Sequence, residues 1–519
     1  MKRNISSNSK MSLFGFFTLT AAMLMSADEY PAFAQSGLLA VLYLVLAGLL
    51  WFLPIALCSA EMATVSGWEE GGVYAWVKNT LGKRAGFIAV FFQWLQITVN
   101  FITMIYFIIG VLSFTLDLSI LNTNHWLKWI LFLIIYWAMT FFQMRGINGT
   151  DKLVKNTFIW GILLPAFILL AVCGIYLSLG NPLQFNSSLT ENFKTLTNTF
   201  SISTIVPFIL AFTGIEASAS YINNLRNPKV NYPLTLIILV LFAIIIDSFG
   251  GLSVASVVPL NKLSLNQGMI DAISIMFTKI SKTVWATWMI KIVGLLMAFG
   301  MLGEISSWII GPVKSLLATA EDRILPAYFD HVNEQQVPAR LVIFQGIIVS
   351  VISGVLTVGF GGNNDAYKMS MSMTVMLYLV TYILIFIGYL ALTASKKTIS
   401  RKFKIPGGKI TRFAVAVLGL ISSLAVFAST FVPSGIKGIS LVAYVTIMLT
   451  FFILIFALTL LIYSRRARIS KRNYKLRHKK VEEVLPFTYL RGRAETVIED
   501  IEKDISEDKH LRCLFQCLQ

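Results

Sequence analysis

Residues 26–33 read SADEYPAF: two adjacent carboxylates, Asp28 and Glu29, and a proline, Pro31, inside an otherwise apolar run from Met11 to Ala34. A carboxylate within a membrane span is costly and faces a cavity or a partner. A helix breaker at such a depth is tolerated where the unwound backbone lines a cavity. Five apolar runs later, residues 212–218 read FTGIEAS, with Gly214 beside Glu216. Two interrupted helices at corresponding places in two halves of a chain are the pattern of an inverted-repeat transporter, with the substrate between the breaks. There, half-helix N-termini offer N–H groups to a carboxylate and half-helix C-termini offer carbonyls to an ammonium. That charge pair is the head of an amino acid. Pattern alone leaves a second reading open. Gly and Pro are frequent in membrane helices for packing, and Asp28 and Glu29 at the outer interface would simply be solvated.

The rest of the chain fits a membrane setting. Its 519 residues are 56% hydrophobic and 13% charged, where a soluble domain carries about a quarter charged residues. Twelve apolar runs are long enough to span a bilayer: 12–34, 38–61, 87–114, 126–143, 157–178, 198–222, 233–258, 284–312, 339–358, 369–392, 412–432 and 440–463. The expected fold is an all-α polytopic membrane protein of 12 transmembrane helices, with helices 1 and 6 broken. The expected divisions are a cytoplasmic tail 1–11, a first repeat 12–178, a second repeat 198–392, two further spans within 412–463, and a cytoplasmic tail 464–519.

Net charge is +17, and its distribution orients the chain. With the N-terminus inside, only Lys128, Lys194, Lys262, Lys279, Lys282, Lys368 and Lys437 fall on the opposite side, and Lys291 is the one cation placed in a span away from its ends. The positive-inside rule therefore places both termini in the cytoplasm of a cell membrane. The basic excess meets anionic lipid heads and argues against a nucleic-acid partner. Lys2, Arg3 and Lys10 before an apolar run, with Ala32-Phe33-Ala34, also fit a signal peptide. The acidic pair just upstream is unusual for one, and the repeat needs the first span. Cys58 and Cys173 lie in spans, and Cys513 and Cys517 have no histidine pair beside them, so neither a disulfide framework nor a metal site is expected. No G-x-x-x-x-G-K-[ST] run is present, so no nucleotide cofactor is expected. No nucleophile–base set sits at matching depth, and an enzyme is not expected. The sequence carries no signal for an oligomeric state.

Several longer stretches carry a family resemblance: LFGFFTLTAAM from Leu13, ALCSAEMATVSGWEEGGVYAWV at 56–77, GIEASAS at 214–220, NPKVNYPL at 227–234, GEISSWIIGP at 303–312 and FKIPGGK at 403–409. The chain resembles the glutamate/γ-aminobutyrate antiporters of the amino acid–polyamine–organocation superfamily, from about Ser12 to Tyr463. The resemblance implies a LeuT-like five-plus-five inverted repeat with spans 11 and 12 outside it. It also implies glutamate entry, γ-aminobutyrate exit, functional coupling to a cytoplasmic amino acid decarboxylase, and acid resistance. A C-terminal plug over the cytoplasmic path is implied too, with PFTYLRGRAE at 486–495 as its counterpart. From the residues themselves, the tail reads either as a solvated, partly helical segment or as a flap.

Departures are visible. Asp28 stands where this branch usually has tyrosine, Ser220-Tyr221 where it tends to have Thr-His, and Val313-Lys314-Ser315-Leu316 where it reads SRGM. A carboxylate in the substrate break repels anionic glutamate unless it is protonated. Exchange or proton symport of another neutral or cationic amino acid or polyamine is therefore the alternative cargo reading. An amino acid sensor on a transporter scaffold is the alternative of another class. Span 5 holds no lysine, which favours exchange over proton symport.

The expected substrate-binding residues are Ser26, Ala27, Asp28, Glu29, Tyr30, Gly214, Ile215, Glu216 and Gln96. Gln93 and Asn100 extend Gln96 into a polar stripe on span 3, which fits a path lining or a packing seam equally. The expected gating and pH-responsive residues are Glu304, Tyr489, Arg491, Arg493 and His478, although a lone histidine in a basic run is commonly just solvated. Glu61, with Glu69 and Glu70, is expected at a cytoplasmic gate. Asp247 and Lys291 are expected to pair structurally between spans 7 and 8.

Overall fold

Apolar runs of this length satisfy their backbone polar groups as helices. Ten helices of the computed structural model are long and apolar enough to cross a bilayer. The structure describes residues 11–484 apart from 69–71, 146–155, 189, 193, 195–201, 217–224, 323, 330–331, 336, 362–363, 396–399 and 437. In chain order the main helices are α1 (Leu13–Leu24), α2 (Tyr30–Ala34), α3 (Leu39–Ala63), α4 (Gly72–Leu81), α5 (Lys83–Thr115), α6 (His125–Met144), α7 (Asn156–Ser178) and α8 (Val206–Leu210). They continue with α9 (Pro228–Val257), α10 (Gly268–Ile280), α11 (Val284–Glu321), α12 (Ala339–Gly359), α13 (Asn364–Ala394), α14 (Gly408–Ser429) and α15 (Leu441–Val484). The described residues contain no strand, only two isolated backbone bridges, Met11–Leu225 and Val65–Arg401.

The expected spans 2–5 and 7–12 each coincide with one of the ten long helices. The expected spans 1 and 6 do not. The helix of span 1 stops at Leu24, and span 6 is described only over 202–216. Burial grades the bundle. The apolar window of α5 is 83% buried, and it packs against both α11 and α13. The windows of α14 and α15 are only 22% and 11% buried, so these two are peripheral. Contacts divide the chain into residues 1–460 and 461–519; of the second unit, residues up to Val484 are described, as helix.

Local chemistry shapes the helices. The π turns Gly48–Phe52 and Ile159–Leu163 end two residues before Pro54 and Pro165. A proline lacks the N–H of the i−4 bond and crowds that carbonyl, and a widened turn absorbs both defects. Gly161 of α7 lies against the backbone of Gly300 of α11, where a Cβ on either would overlap the other. Small residues allow this approach in a membrane, where dispersion rather than water exclusion holds helices together.

One expected pair is corrected. Lys291 donates to Asp117 Oδ2 at 2.5 Å, in the turn after α5, and not to Asp247. Lys291 reaches a carboxylate at the end of the span, where its charge keeps contact with solvent.

Candidate functional site

The first break is built by local sequence. Met25 caps α1 in extended geometry (φ −90°, ψ 119°), and Ser26 continues it (φ −130°, ψ 132°). A single 3₁₀ turn, Ala27–Glu29, then leads into α2, with Pro31 in its first turn. Pro31 can neither donate to nor fit easily beside the carbonyl four residues back, which favours the break at Ala27. The second break follows α8. Residues Ala211–Gly214 form a turn, and Gly214 adopts φ +104°, a conformation open to glycine and strained for other residues. Thr213 Oγ1 donates to the Leu210 carbonyl at 2.9 Å, and the Gly214 N–H donates to Tyr382 Oη at 3.0 Å.

Between the breaks lies a small cavity. Ser26, Asp28 and Glu29 line it from the first break, and Thr213 and Gly214 from the second. Gln96 and Asn100 reach it from α5, Glu304 and Trp308 from α11, and Tyr378 from α13. No Lys, Arg or His side chain is among the described residues that line it.

The carboxylates are held in different ways. Glu216 is 2% exposed and accepts from three neutral donors. These are Gln93 Nε2 at 2.8 Å, Tyr382 Oη at 2.6 Å and Tyr378 Oη. Asp28 is 5% exposed; Ser26 Oγ sits 2.5 Å from its Oδ1, and Tyr367 Oη donates at 3.3 Å to its Oδ2 and to its carbonyl. The same Ser26 hydroxyl lies 3.0 Å from Glu304 Oε2. Among the described residues, the site therefore gathers carboxyl groups with hydroxyl, amide and indole donors and no cation. It is suited to an ammonium group, and to a carboxylate that arrives with a proton or meets backbone N–H groups.

The expected residues separate into groups. Ser26, Asp28, Glu29, Gly214, Gln96 and Glu304 line the cavity. Glu216 stands behind Tyr378, which does line it. Ala27 is buried in the turn, Ile215 is buried after Gly214, and the Tyr30 ring lies against Gly250 of α9, so these three support the breaks. Of the polar stripe on α5, Gln93 binds Glu216 while Gln96 and Asn100 line the cavity. Glu61 is fully buried at the end of α3. It accepts from Arg401, from Tyr389 Oη at 2.7 Å and from the Ile405 N–H at 2.9 Å, with Arg412 at 3.8 Å. This arrangement anchors the loop before α14 to α3. His478 falls within α15, where its side chain is outside the described residues. Tyr489, Arg491, Arg493, Glu69, Glu70 and residues 217–221 are also outside them.

Sequence reasoning missed the tyrosines of α13. Tyr367, Tyr378, Tyr382 and Tyr389 are separated by 11, 4 and 7 residues, close to whole turns of an α-helix, so they share one face. They give their hydroxyls in turn to Asp28, Glu216, Glu216 and Glu61. That period was the available signal.

Comparison with known proteins places this geometry. The family model described as amino acid permease matches residues 11–458. A glutamate/γ-aminobutyrate antiporter of Lactococcus lactis subsp. lactis is 43% identical over 491 residues, covering 94% of this chain and 97% of that protein. One from Lactococcus lactis subsp. cremoris is 44% identical over 455 residues, covering 88% and 90%. Among solved structures, a manganese transporter of Eremococcus coleocola aligns with a TM-score of 0.51 at 13% identity, covering 88% of this chain and 95% of the other, a likeness of fold alone. With a family match across almost all of its helices and relatives this similar over nearly their whole length, the chain belongs to the amino acid permease family of the amino acid–polyamine–organocation superfamily.

Proposed function

We propose that this protein is an amino acid antiporter of the cell membrane, exchanging external glutamate for internal γ-aminobutyrate by alternating access. The observation that carries the reading is 43% identity over 94% of the chain to a protein named for that exchange. The cavity between two helix breaks supports it, since a site at such a junction can open to one side at a time. In this reading the chain has 12 spans, the two missing from the ten long helices being the broken spans 1 and 6. Residues 12–178 and 198–392 form a LeuT-like inverted repeat, 412–463 lie outside it, and both tails are cytoplasmic. Ser26, Asp28, Glu29, Gly214 and Gln96 hold the cargo, with Ala27, Tyr30 and Ile215 shaping the breaks and Glu216 setting the span 6 side. Glu304 gates the path. The tail, through His478, Tyr489, Arg491 and Arg493, plugs the cytoplasmic side near neutral pH. Exchange couples to a cytoplasmic decarboxylase, which consumes a proton per turnover and confers acid resistance.

A second reading has its own observation. The cavity wall combines Asp28, Glu29 and Glu304 without a lining cation among the described residues, which favours a neutral or cationic amino acid or polyamine over an anion.

Counterflow in proteoliposomes separates the two. Vesicles loaded with γ-aminobutyrate are offered labelled glutamate in acid and at neutral pH, using the full chain and a version ending at Ser470. Uptake that requires a loaded interior, is strong in acid, and appears at neutral pH only after truncation is the expected result. Absence of glutamate uptake by folded protein, with uptake of a neutral or cationic amino acid, would establish the second reading.

A further inference from the structure

The Ser26 hydroxyl has one hydrogen and two carboxyl neighbours. Asp28 Oδ1 stands at 2.5 Å and Glu304 Oε2 at 3.0 Å. A hydroxyl donates once and accepts through its lone pairs. Both contacts are hydrogen bonds when one carboxyl is protonated and donates to Ser26 Oγ while Ser26 donates to the other. With both carboxyls ionised, one contact becomes an uncompensated approach of two acceptors in a largely buried place, which is costly.

Among the described residues, no cation lines the cavity beside the pair. The titratable groups facing the pair are Glu29 from the same break, Asp247 from α9, which is in electrostatic contact with Glu29, and Tyr367 and Tyr378 from α13. A separate observation points to a ligand at the same place. Gln96 is 3% exposed and lines the same cavity. Its amide carries both donors and an acceptor, the groups that would meet the polar atoms of a ligand there.

We infer that Asp28 and Glu304, bridged by Ser26, form a proton-binding site that exchanges its proton for the ammonium group of the cargo. In the empty site the carboxyl proton closes the Ser26 bridge. When an ammonium enters, its N–H groups bond to the carboxylates and the displaced proton passes to solvent, so the ammonium takes over the positive charge that the proton supplied to the pair. This ties the first helix break to α11 in the empty state by one hydroxyl. It also gives Asp28, a departure from the tyrosine usual in related antiporters, a role in coupling. The inference rests on the reading of the cavity as the cargo site.

Isothermal titration of the detergent-solubilised full chain with γ-aminobutyrate tests it, in buffers of different ionisation enthalpy, at about pH 6, where that ligand is a zwitterion. The slope of binding heat against buffer enthalpy counts protons. The wild type is expected to release about one proton per ligand bound. In Asp28→Asn and, independently, in Glu304→Gln binding is expected to weaken and the number of protons released per ligand bound to fall towards zero, and Ser26→Ala is expected to reduce that number. Two carboxyl variants on different helices guard against one that fails to fold. Binding by the wild type with no proton released, or release unchanged in both carboxyl variants, would overturn the inference and leave the cargo reading standing. Absence of binding heat for both γ-aminobutyrate and glutamate would overturn the cargo reading, and the inference with it.

Discussion

Glu61 and the Asp28–Glu304 pair are buried carboxyl groups in one bundle with opposite surroundings. Glu61 meets Arg401, itself only 8% exposed, with Arg412, a tyrosine hydroxyl and a backbone N–H completing its shell. Asp28 and Glu304 share one serine hydroxyl and face further carboxylates. A carboxylate whose charge is already neutralised serves as an anchor. One left without a cation retains capacity for a proton or a cationic ligand. Glu216 stands between, held by three neutral donors and by no cation among the described residues. In the proposed exchange cycle the difference separates permanent fastening from a place that is emptied and refilled.

The largest expected effect tests the anchor. Glu61→Gln leaves Arg401 buried with no charged partner, and breaking one side of a buried pair costs about 3–5 kcal/mol. A marked fall in thermal stability by detergent-solubilised melting, with poor recovery of folded protein, is the expected result. A wild-type melting curve would show that Glu61 is not an anchor and would erase the contrast with Asp28.

The next effect falls on exchange. Glu216→Gln keeps the size of the side chain while replacing the carboxyl oxygens that gather Tyr378, Tyr382 and Gln93. Leaving one buried donor unsatisfied costs about 1–3 kcal/mol, which predicts a counterflow rate lower by roughly ten- to a hundred-fold. Folding should be close to normal, because no buried cation is stranded. A loss of stability as large as that of Glu61→Gln would move Glu216 into the anchor class.

The smallest effect concerns the end of α11. There Tyr74 Oη donates to Asp322 Oδ2 at 2.6 Å, Lys83 lies 2.8 Å from Oδ1, and Lys78 also pairs with it, tying α4 and the start of α5 to α11. Partial burial pushes the Asp322 carboxyl up, but the hydrogen bonds from Lys78, Lys83 and Tyr74 outweigh it and lower the carboxyl from 3.8 to about 2. A carboxyl lowered on folding stabilises the fold fully above its unfolded value and loses that contribution as pH falls through the folded value. The wild type should therefore lose melting temperature between about pH 4 and pH 2, while Asp322→Asn, already lower, should change less across that window. A wild-type curve parallel to that of the variant would show that this network adds nothing. The network stays charged in mild acid, so acid response must arise elsewhere.

The sequence was informative where the physics is local. Pro31 beside two carboxylates disfavours a continuous helix, and Gly214 marks a turn that side chains resist, so both breaks were legible. Gln96 and Asn100 were legible as a stripe at helical spacing but not as cavity lining, since a packing seam has the same period. The tyrosine face of α13 was legible only as a period. Which carboxylate each hydroxyl meets depends on helices brought together from far along the chain, as with Tyr382 and Glu216, 166 residues apart. Lys291 was misassigned for the same reason: neighbouring spans suggested Asp247, while the tertiary fold brought Asp117 to it.

The sequence by itself determined the long membrane helices, the two breaks and the family, because a bilayer accepts so few backbone arrangements that apolar length, proline and glycine decide among them. Only the tertiary structure decided which buried carboxylates are fastened and which are left open. A charge is neutralised by what lies within a few ångströms of it, and for Glu61 and Arg401 that neighbour is 340 residues away in the chain.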